Sequence, residues 1–353
     1  MNKTYRIKDI AKLSGVSTGT VDRILHNRGK VSPEAQAKVE KVLKEINYQP
    51  NLIARSLALK KNYHLLIIIP QYAEGEYWAK IAEGVNKAQE ELFSYNITVE
   101  HLYFNQYDKS SFDALIPKIK QIDCQGVVVS TLFQEGVKDL TVCLDDLKIP
   151  YVLIDAYIEG TNAITYYGTH SYDSGYIAGR LLLEQINPQE DIVVFRFIRK
   201  GDQASTQVTK REDGFRNYLS QNGYQGKIHL LHIHGEETDY NKEHLRSFFT
   251  ENKQLKTGII FNSRASMLGE YFDELNITKE FKLIGYDVLE ANIHYLNSGL
   301  ITHLIAQRPE VQGLNSVKAL FRYLILNVKD EAVNYMPIDI LIKENISYYN
   351  NYI

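Results

Sequence analysis

Carboxylate and amide side chains stand where several strand-like runs of the sequence end. Asp155, Asn262 and Asp287 each close an apolar run, and Gln307 follows another. Ligands of doubly wound α/β folds bind outside the carboxyl ends of the strands, so we expect these side chains to face a binding cleft. Carboxylates and amides form hydrogen bonds with hydroxyl groups, and the pattern therefore predicts a polyhydroxylated small molecule as the ligand.

Aromatic residues follow the first strand-like run, at Tyr72, Tyr77 and Trp78. These rings could stack on the apolar face of a sugar, which agrees with a polyhydroxylated ligand. For Trp78, a place in the core at the start of its helix is an equal alternative, because large aromatic side chains are often buried.

The sequence lacks common catalytic motifs: it has no phosphate-loop glycine pattern, no HExxH, no GxSxG and no CxxC. One group of side chains has a metal-like composition, namely His229, His232, His234 and His244. No further ligand follows them at a standard spacing, so we expect solvated or edge-strand histidines rather than a zinc site. We therefore expect no catalytic residue, no metal and no cofactor.

Charge is distributed unevenly along the 353 residues. The first 61 residues hold 13 basic and 5 acidic side chains, and the remaining 292 residues hold 27 basic and 38 acidic side chains. A basic head on an acidic body predicts that only the head meets a polyanion. With no apolar signal segment at the start and no run long enough to span a membrane, we expect a cytoplasmic protein in which Cys124 and Cys143 are free thiols.

Three short helices are predicted in the basic head. The first, Ile7–Ser14, is interrupted by Gly15; Ser17 can cap a second helix that runs to about His26, and Ser32 can cap a third. A tight turn between the first two helices is typical of a helix-turn-helix.

The second helix is expected to enter the major groove of DNA, N-terminus first. Arg23 is the best candidate for a bidentate contact to guanine, Thr18 can meet a base edge or a thymine methyl group, and Gly19 permits close approach. Contacts to phosphates, which fix position rather than sequence, are expected from Lys8, Ser17 and Thr20. A small helical bundle with a solvated basic face is the alternative.

A short segment joins the head to the body. Pro50 ends the segment that precedes it, and Asn51 can cap a helix of about two turns over Leu52–Leu59. A helix this short would be only marginally stable in isolation. A segment that becomes ordered only on DNA would couple the conformation of the body to DNA binding.

From His64 onward, apolar runs alternate with helical stretches such as Trp78–Phe93 and Asp173–Ile186. The strand-like runs are Leu65–Pro70, Thr98–Phe104, Gly126–Thr131, Tyr151–Asp155, Ala163–Thr169, Ile192–Phe197, Ile228–His234, Gly258–Asn262, Leu283–Asp287 and Ile301–Ala306. This alternation is typical of doubly wound parallel sheets, and so many strands predict two sheets with a cleft between them.

The run IKDIAKLSGVSTGTVDRIL, followed by NYQPNLIARSL, resembles the headpiece of the LacI/GalR family of bacterial repressors. In that family the hinge helices of two subunits lie in the minor groove, and a leucine from each opens the central base step. The matching residue here is Leu57, although it could instead pack on the body. The resemblance implies further DNA contacts from Asp22, Asn27, Asn51, Ala54 and Arg55.

The headpiece departs from the usual family pattern in places. Asp22 stands where Ser or Ala is common, and its carboxylate would repel phosphate or accept from a cytosine amine. Gly19 replaces a side chain that often reads a base, and Ala35 and Gln36 replace a common Thr-Arg pair. We therefore expect the operator to differ in the half-site positions that these residues read.

The body resembles the type I periplasmic-binding-protein fold that this family uses as a sensor, on the runs SYDSGYIAGRLL, REDGF, IGYD and QRPEVQG. The resemblance implies three crossings between two lobes, the first lobe holding about 64–169 and a piece near 294–325. It places Asp287 on ligand hydroxyls and matches Arg211 to the effector-contacting arginine, whose guanidinium can hold two oxygen atoms. Arg211 and Asp287 could instead pair with each other or cap helices.

We thus predict a helix-turn-helix domain at 1–50, a hinge helix and linker at 51–62, and a two-lobed α/β effector-binding and dimerisation domain at 63–353. The expected protein is a homodimeric regulator, with repression as its expected action, that binds a pseudo-palindromic operator and senses a carbohydrate or derivative. Effector binding would change the closure of the lobes and the spacing of the two hinge segments. The effector could either release the protein from DNA, as an inducer, or load it onto DNA, as a co-repressor. The alternatives are a sugar-binding protein without a regulatory role and an enzyme that acts on the bound sugar.

Overall fold

The computed structural model describes residues 5–25, 29–46, 48, 62–198, 205–235, 237–277 and 280–352. The chain divides into two compact units, Met1–Lys60 and Lys61–Ile353. The predicted hinge helix lies outside the described residues, as do five of the predicted DNA contacts: Asn27, Asn51, Ala54, Arg55 and Leu57.

The described part of the first unit contains helices α1 (Ile7–Ser14), α2 (Thr18–Leu25) and α3 (Pro33–Glu45), which confirms the three predicted helices. Gly15 ends α1 at a φ of 68°, a left-handed conformation that favours glycine because it has no Cβ. This turn sends the chain directly into α2.

Side-chain caps begin the next two helices of the first unit. The Ser17 hydroxyl accepts a hydrogen bond from the backbone N–H of Thr20 at 3.1 Å, and Ser32 accepts one from Ala35 at 3.3 Å. Such caps satisfy N–H groups that have no partner within the helix. The helices enclose a small core of Ile10, Ala11, Val21, Val39 and Val42.

The second unit contains two six-stranded sheets. The first has the order β11-β5-β4-β3-β1-β2, and its strands are β1 (Tyr63–Pro70), β2 (Ile97–Phe104), β3 (Gly126–Ser130), β4 (Tyr151–Asp155), β5 (Thr165–Gly168) and β11 (Val333–Tyr335). The second has the order β12-β10-β9-β8-β6-β7, with β6 (Ile192–Ile198), β7 (Ile228–His234), β8 (Thr257–Ile260), β9 (Lys282–Tyr286), β10 (Ile301–Ala306) and β12 (Asp339–Leu341).

All ten predicted strands are present, and the two sheets confirm the predicted fold class. Neighbouring strands are parallel except for β12, which is antiparallel to β10. The sequence did not predict β11 or β12, because each has only three residues and so short a run shows no period.

In this unit the helices are α4 (Tyr77–Glu91), α5 (Lys109–Asp113), α6 (Ile116–Ile119), α7 (Gln134–Asp146), α8 (Ser171–Leu183), α9 (Thr206–Gln221), α10 (Thr238–Glu251), α11 (Ala265–Leu275), α12 (Glu290–Ser298) and α13 (Pro309–Phe321). Phe93–Tyr95 and Ile346–Tyr352 form 3₁₀ helices, and Arg322–Leu326 forms a π-helical turn.

The chain crosses between the lobes three times, as predicted: before α8, after β10 and between β11 and β12. One expected boundary is wrong. The piece that returns to the first lobe begins at Pro309 rather than near residue 294, because β10 pairs with β9 of the second sheet and α12 packs on β10. Among the described residues, no helix is long and apolar enough to span a membrane, and both cysteines are buried and free of disulfide bonds.

Helices α8 and α9 cross at two glycines. A Cβ added to Gly175 of α8 would overlap the backbone carbonyl of Arg211 in α9, and one added to Gly214 would overlap that of Tyr172. The close approach therefore requires glycine at both positions. The crossing also fixes the backbone of Arg211, one of the predicted ligand contacts.

We expect Gly175→Ala to lower the free energy of unfolding by about 1–3 kcal/mol, because the backbones must separate to admit the methyl group. Thermal unfolding of the full chain measures the change. Arg180→Ala is the matched control, since the side chain of Arg180 is 67% exposed on the same helix and its loss should cost under about 0.5 kcal/mol. Equal midpoints for the two variants would contradict the requirement for glycine.

Candidate functional site

Asp155 and Asp287 lie at the carboxyl ends of strands from the two different sheets. Asp155 ends β4 in the first lobe, and Asp287 directly follows β9 in the second. Both have a positive φ, of 87° and 69°, a conformation that aspartate tolerates better than most residues. Both are buried, with relative exposures of 3% and 1%. The fold thus places a buried carboxyl group from each lobe at the cleft.

Gln307, at the second crossing between the lobes, connects these groups. Its side-chain oxygen accepts from Nη2 of Arg211 at 2.7 Å and from Nε2 of Gln207 at 3.1 Å. Its nitrogen donates to Oδ2 of Asp287 at 3.1 Å, and Gln207 also donates to Oδ1 of Asp155 at 2.7 Å. One hydrogen-bonded network therefore joins residues of both lobes.

Arg211 is almost fully buried in α9. Its Nη1 donates to the backbone carbonyl of Phe261 at 2.8 Å, and its guanidinium carbon lies 4.1 Å from the ring centre of Tyr286. Such a cation–π contact stabilises a charge that has left water. Arg211 reaches Asp287 through Gln307, and this arrangement differs from the direct pairing and from the helix capping considered above.

Two buried polar atoms of the network have no hydrogen-bond partner among the described residues: Oδ1 of Asp287 and Nε of Arg211. An unsatisfied buried donor or acceptor costs about 1–3 kcal/mol. Burial raises the pKa of Asp287 to about 7, and the Arg211 guanidinium opposes that rise. Both residues line one cavity, so the site places a carboxyl oxygen and a guanidinium N–H, neither of them paired among the described residues, beside whatever enters it.

This cavity, here called the inner cavity, has a volume of about 50 Å³. Seven of the eight predicted ligand contacts line it: Tyr77, Trp78, Asp155, Arg211, Asn262, Asp287 and Gln307. The Tyr77 hydroxyl donates to Oδ1 of Asp155 at 3.4 Å. Tyr72 does not line the inner cavity; its ring packs edge-on against Tyr103, with 5.9 Å between ring centres.

Several residues that line the inner cavity were not predicted from the sequence, among them Gln106 and Gln207. Both had a usable signal. Gln106 follows the end of β2 by two residues, so the strand-end rule applies to it. Gln207 precedes Arg211 by four residues in α9, which places the two side chains on one face of that helix.

The predicted DNA-reading face of α2 is exposed at Thr18, Gly19 and Arg23, while Val21 is fully buried on the opposite side. Arg23 folds back along the helix, and its Nε donates to the backbone carbonyl of Gly19 at 3.3 Å. Lys8 and Ser17 are also exposed, whereas Thr20 and Asp22 are half-buried. The exposed set of α2 presents one long basic side chain, that of Arg23, beside small residues.

The histidine cluster forms ordinary contacts. Nε2 of His229 lies 3.1 Å from Oδ2 of Asp191, and the His244 ring stacks on Tyr240. Within the described ranges, His, Cys, Asp and Glu side chains nowhere gather in threes or more to hold a metal ion.

Two family models match consecutive parts of the chain. The model for bacterial regulatory proteins of the lacI family matches residues 6–51, and the model for a periplasmic binding protein domain matches residues 66–327. The first match covers α1 to α3, and the second covers most of both lobes.

Curated relatives match along almost their whole length. The HTH-type transcriptional regulator MalR of Clostridium butyricum is 25% identical over 340 residues, which are 93% of this chain and 95% of the relative. The HTH-type transcriptional repressor PurR of Histophilus somni is 24% identical over 350 residues, 96% and 98% of the two chains. The ribose operon repressor of Lactococcus lactis is 23% identical over 351 residues, 96% and 97%.

Solved structures match the larger unit. A LacI transcriptional regulator from Bacteroides fragilis is 36% identical with a TM-score of 0.79, and the match covers 82% of this chain and all of that chain, 100%. GanP, a glucose-galactose binding protein from Geobacillus stearothermophilus, is 19% identical with a TM-score of 0.68, over 81% and 99% of the two chains. At this identity GanP supports the fold alone.

Proposed function

Because the chain belongs to the lacI family of bacterial regulatory proteins, we propose that a carbohydrate or a derivative, bound in the cleft that contains the inner cavity, controls the affinity of its helix-turn-helix for an operator. The protein is a DNA-binding transcriptional regulator with a small-molecule sensor and not an enzyme. The identity of the effector, its contacts and the oligomeric state are parts of the proposal.

The observation that carries the carbohydrate proposal is the pair of unsatisfied buried atoms, Oδ1 of Asp287 and Nε of Arg211. Sugar hydroxyl groups both donate and accept, so they can pair with the carboxyl oxygen in either protonation state and accept from the guanidinium. Trp78 and Tyr77 border the same cavity and offer apolar ring faces to the C–H face of a sugar. A cavity lined by both polar groups and aromatic rings suits a polyhydroxylated ligand.

The proposed switch acts through Gln307. This residue bonds Arg211, Gln207 and Asp287, and Thr169, at the first crossing, donates to the same side-chain oxygen at 3.3 Å. Ligand hydroxyls that compete for these bonds would change the relative free energies of the open and closed lobes. In a cytoplasmic homodimer, lobe closure would in turn change the spacing of the two hinge segments and of Leu57, the proposed minor-groove wedge.

The proposal is tested by adding sugars to the full-length protein in two assays. A ligand should raise the thermal midpoint of unfolding, by mass action on the folded state, and should change the retention of operator fragments in gel shifts. A sugar that stabilises the protein without altering DNA binding would favour the sugar-binding alternative. If no genomic fragment is shifted specifically at moderate salt, the operator-binding part of the proposal is wrong.

For the DNA-binding head we expect Arg23→Ala to relax base preference at one position in each half-site, with a loss of about 1–3 kcal/mol on the preferred sequence. The reason is that the guanidinium can bind two acceptors of guanine at once. Selection from randomised operators measures the preference. Lys12→Ala, an exposed basic residue of α1, is the control. A uniform loss of affinity across all sequences would mean that Arg23 contacts phosphate instead.

A further inference from the structure

The inner cavity is too small for a sugar ring. Its volume is about 50 Å³, whereas ligand pockets usually measure roughly 300–1,000 Å³. A larger space of about 530 Å³ adjoins it, and Tyr77, Trp78 and Arg264 border both spaces. A ligand of that size can therefore reach Arg211 and Asp287 only after the lobes move apart.

An ion pair joins the two lobes beside the inner cavity. Arg264 directly precedes α11 in the second lobe, and its Nη2 lies 3.3 Å from Oε1 of Glu76, which directly precedes α4 in the first lobe. Both partners are anchored within their own loops. The other oxygen of Glu76 accepts from the backbone N–H of Ala73 at 3.0 Å, and the backbone N–H of Arg264 donates to Oδ1 of Asn262 at 3.0 Å. The pair therefore orders less chain when it forms than two freely moving surface side chains would.

Two aromatic rings flank the guanidinium group of Arg264. Its carbon lies 5.4 Å from the ring centre of Tyr107 in the first lobe and 5.8 Å from that of Phe197 in the second. Cations are attracted to aromatic rings at such distances. The Tyr107 ring also packs against Gly235, since a Cβ added to Gly235 would lie 2.5 Å from Cε1 of that ring. The loops that follow the edge strands β2 and β7 thus meet across the cleft.

Further polar contacts join the lobes. The Thr206 hydroxyl, at the start of α9, donates to Oε1 of Gln134, at the start of α7, at 3.0 Å. Nζ of Lys210 in α9 donates to the backbone carbonyl of Tyr157 in the first lobe at 3.4 Å. All of these partners belong to the protein itself, so its own contacts are sufficient to keep the lobes together.

We propose that Glu76 and Arg264, here called the latch, hold the two lobes closed in the unliganded protein, and that a ligand enters the cleft only when this pair separates. The strength of the latch then sets the fraction of molecules that are open to a ligand. Closure follows from the contacts between the lobes, whereas its effect on the entry of an effector rests on the proposed function.

Reversal of one charge tests the latch. Glu76→Lys and Arg264→Glu each bring like charges together, so repulsion replaces attraction. The side chains of Arg264 and Glu76 are 25% and 36% exposed, and such a pair is weak on its own, but a reversal removes an attraction and adds a repulsion. We therefore expect each single variant to raise the ratio of open to closed molecules by about tenfold. The variant that carries both reversals pairs opposite charges again and should recover most of the native ratio.

Trp78 reports the opening, because it is the single tryptophan of the chain, is only 6% exposed and borders both spaces. The full-length protein without added sugar is studied by acrylamide quenching of Trp78 and by small-angle X-ray scattering. In both single variants we expect stronger quenching together with a larger radius of gyration. Arg180→Glu is the matched control, since Arg180 forms an exposed ion pair with Glu184 within α8, and it should change neither quantity.

Glu76→Gln is a further variant of nearly native shape. It removes the charge and keeps an acceptor for the N–H of Ala73, so it should open the lobes by a smaller factor, even if a charge reversal prevents folding.

Unchanged quenching and radius of gyration in Glu76→Lys, Arg264→Glu and Glu76→Gln would overturn the proposal. Stronger quenching at a constant radius would also overturn it, because the pair would then affect only the surroundings of Trp78. A double reversal as open as the single variants would show that charge pairing does not hold the lobes. Since no sugar is added, each of these results is independent of whether the effector is a carbohydrate.

Discussion

Arg211→Met is expected to weaken effector binding by about 100-fold or more, while operator binding in the absence of effector is retained. Arg211 is the buried cation of the inner cavity, and it bonds both Gln307 and the backbone of Phe261. Truncating one partner of a buried, hydrogen-bonded charge typically costs about 2–5 kcal/mol, and a loss of about 2.8 kcal/mol is 100-fold. Methionine keeps much of the side-chain volume but removes every donor.

Two measurements are combined. Sugar titrations use Trp78 fluorescence as the readout of effector binding, and gel shifts report operator binding. Arg216→Met is the control, since Arg216 lies in the same helix, with its side chain 41% exposed beside Glu212, and should leave the effector affinity unchanged. Arg211→Lys should recover only part of the binding, because an ammonium group cannot form the planar, two-pronged contact of a guanidinium. Normal effector affinity in Arg211→Met would show that the ligand does not contact this part of the inner cavity.

Asp287→Asn should remove a pH dependence of stability. Burial raises the pKa of Asp287 from 3.8 to about 7, so the folded protein holds this proton at pH values where the unfolded chain has released it. The stability that the neutral carboxyl group provides is therefore fully present below about pH 4, and is lost as the pH rises from about 4 to 7. A shift of this size corresponds to a loss on the order of 4 kcal/mol.

An asparagine at this position cannot ionise, so the variant should gain stability relative to the native protein as the pH rises from 5 to 8. Urea unfolding of the full chain without ligand at both pH values measures the difference. Asp213→Asn serves as the control, because Asp213 is exposed on α9 and should change stability little at either pH. If Asp287→Asn and the native protein lose stability in parallel, the carboxyl group does not titrate in this range.

The effector site was partly readable from the sequence. Asp155 and Asp287 each stand at the carboxyl end of a buried strand, and the strand-end rule places such residues at the cleft of an α/β fold. Tyr72 also follows a strand, yet it packs against Tyr103. The rule specifies an edge of the sheet, and it does not specify the direction in which a side chain in the following loop points.

The sequence by itself determined where the helices and strands lie along the chain. Gly15, Ser17 and Ser32 mark helix ends through contacts within five residues, and the apolar runs mark strands by their own length and composition. These signals act between neighbours, so they need no tertiary context. The helix-turn-helix and the ten strands follow from them.

Tertiary structure alone decided how distant side chains meet. Gln307 bonds Arg211 across 96 residues and Gln207 across 100, and these contacts exist only once α9 and the end of β10 have come together in the second lobe. The crossings between the lobes account for the lining of the inner cavity, which includes Tyr77 of the first lobe and Arg264 of the second. Local periodicity carries no information about which strand ends will face each other, because the packing of the two lobes sets that geometry.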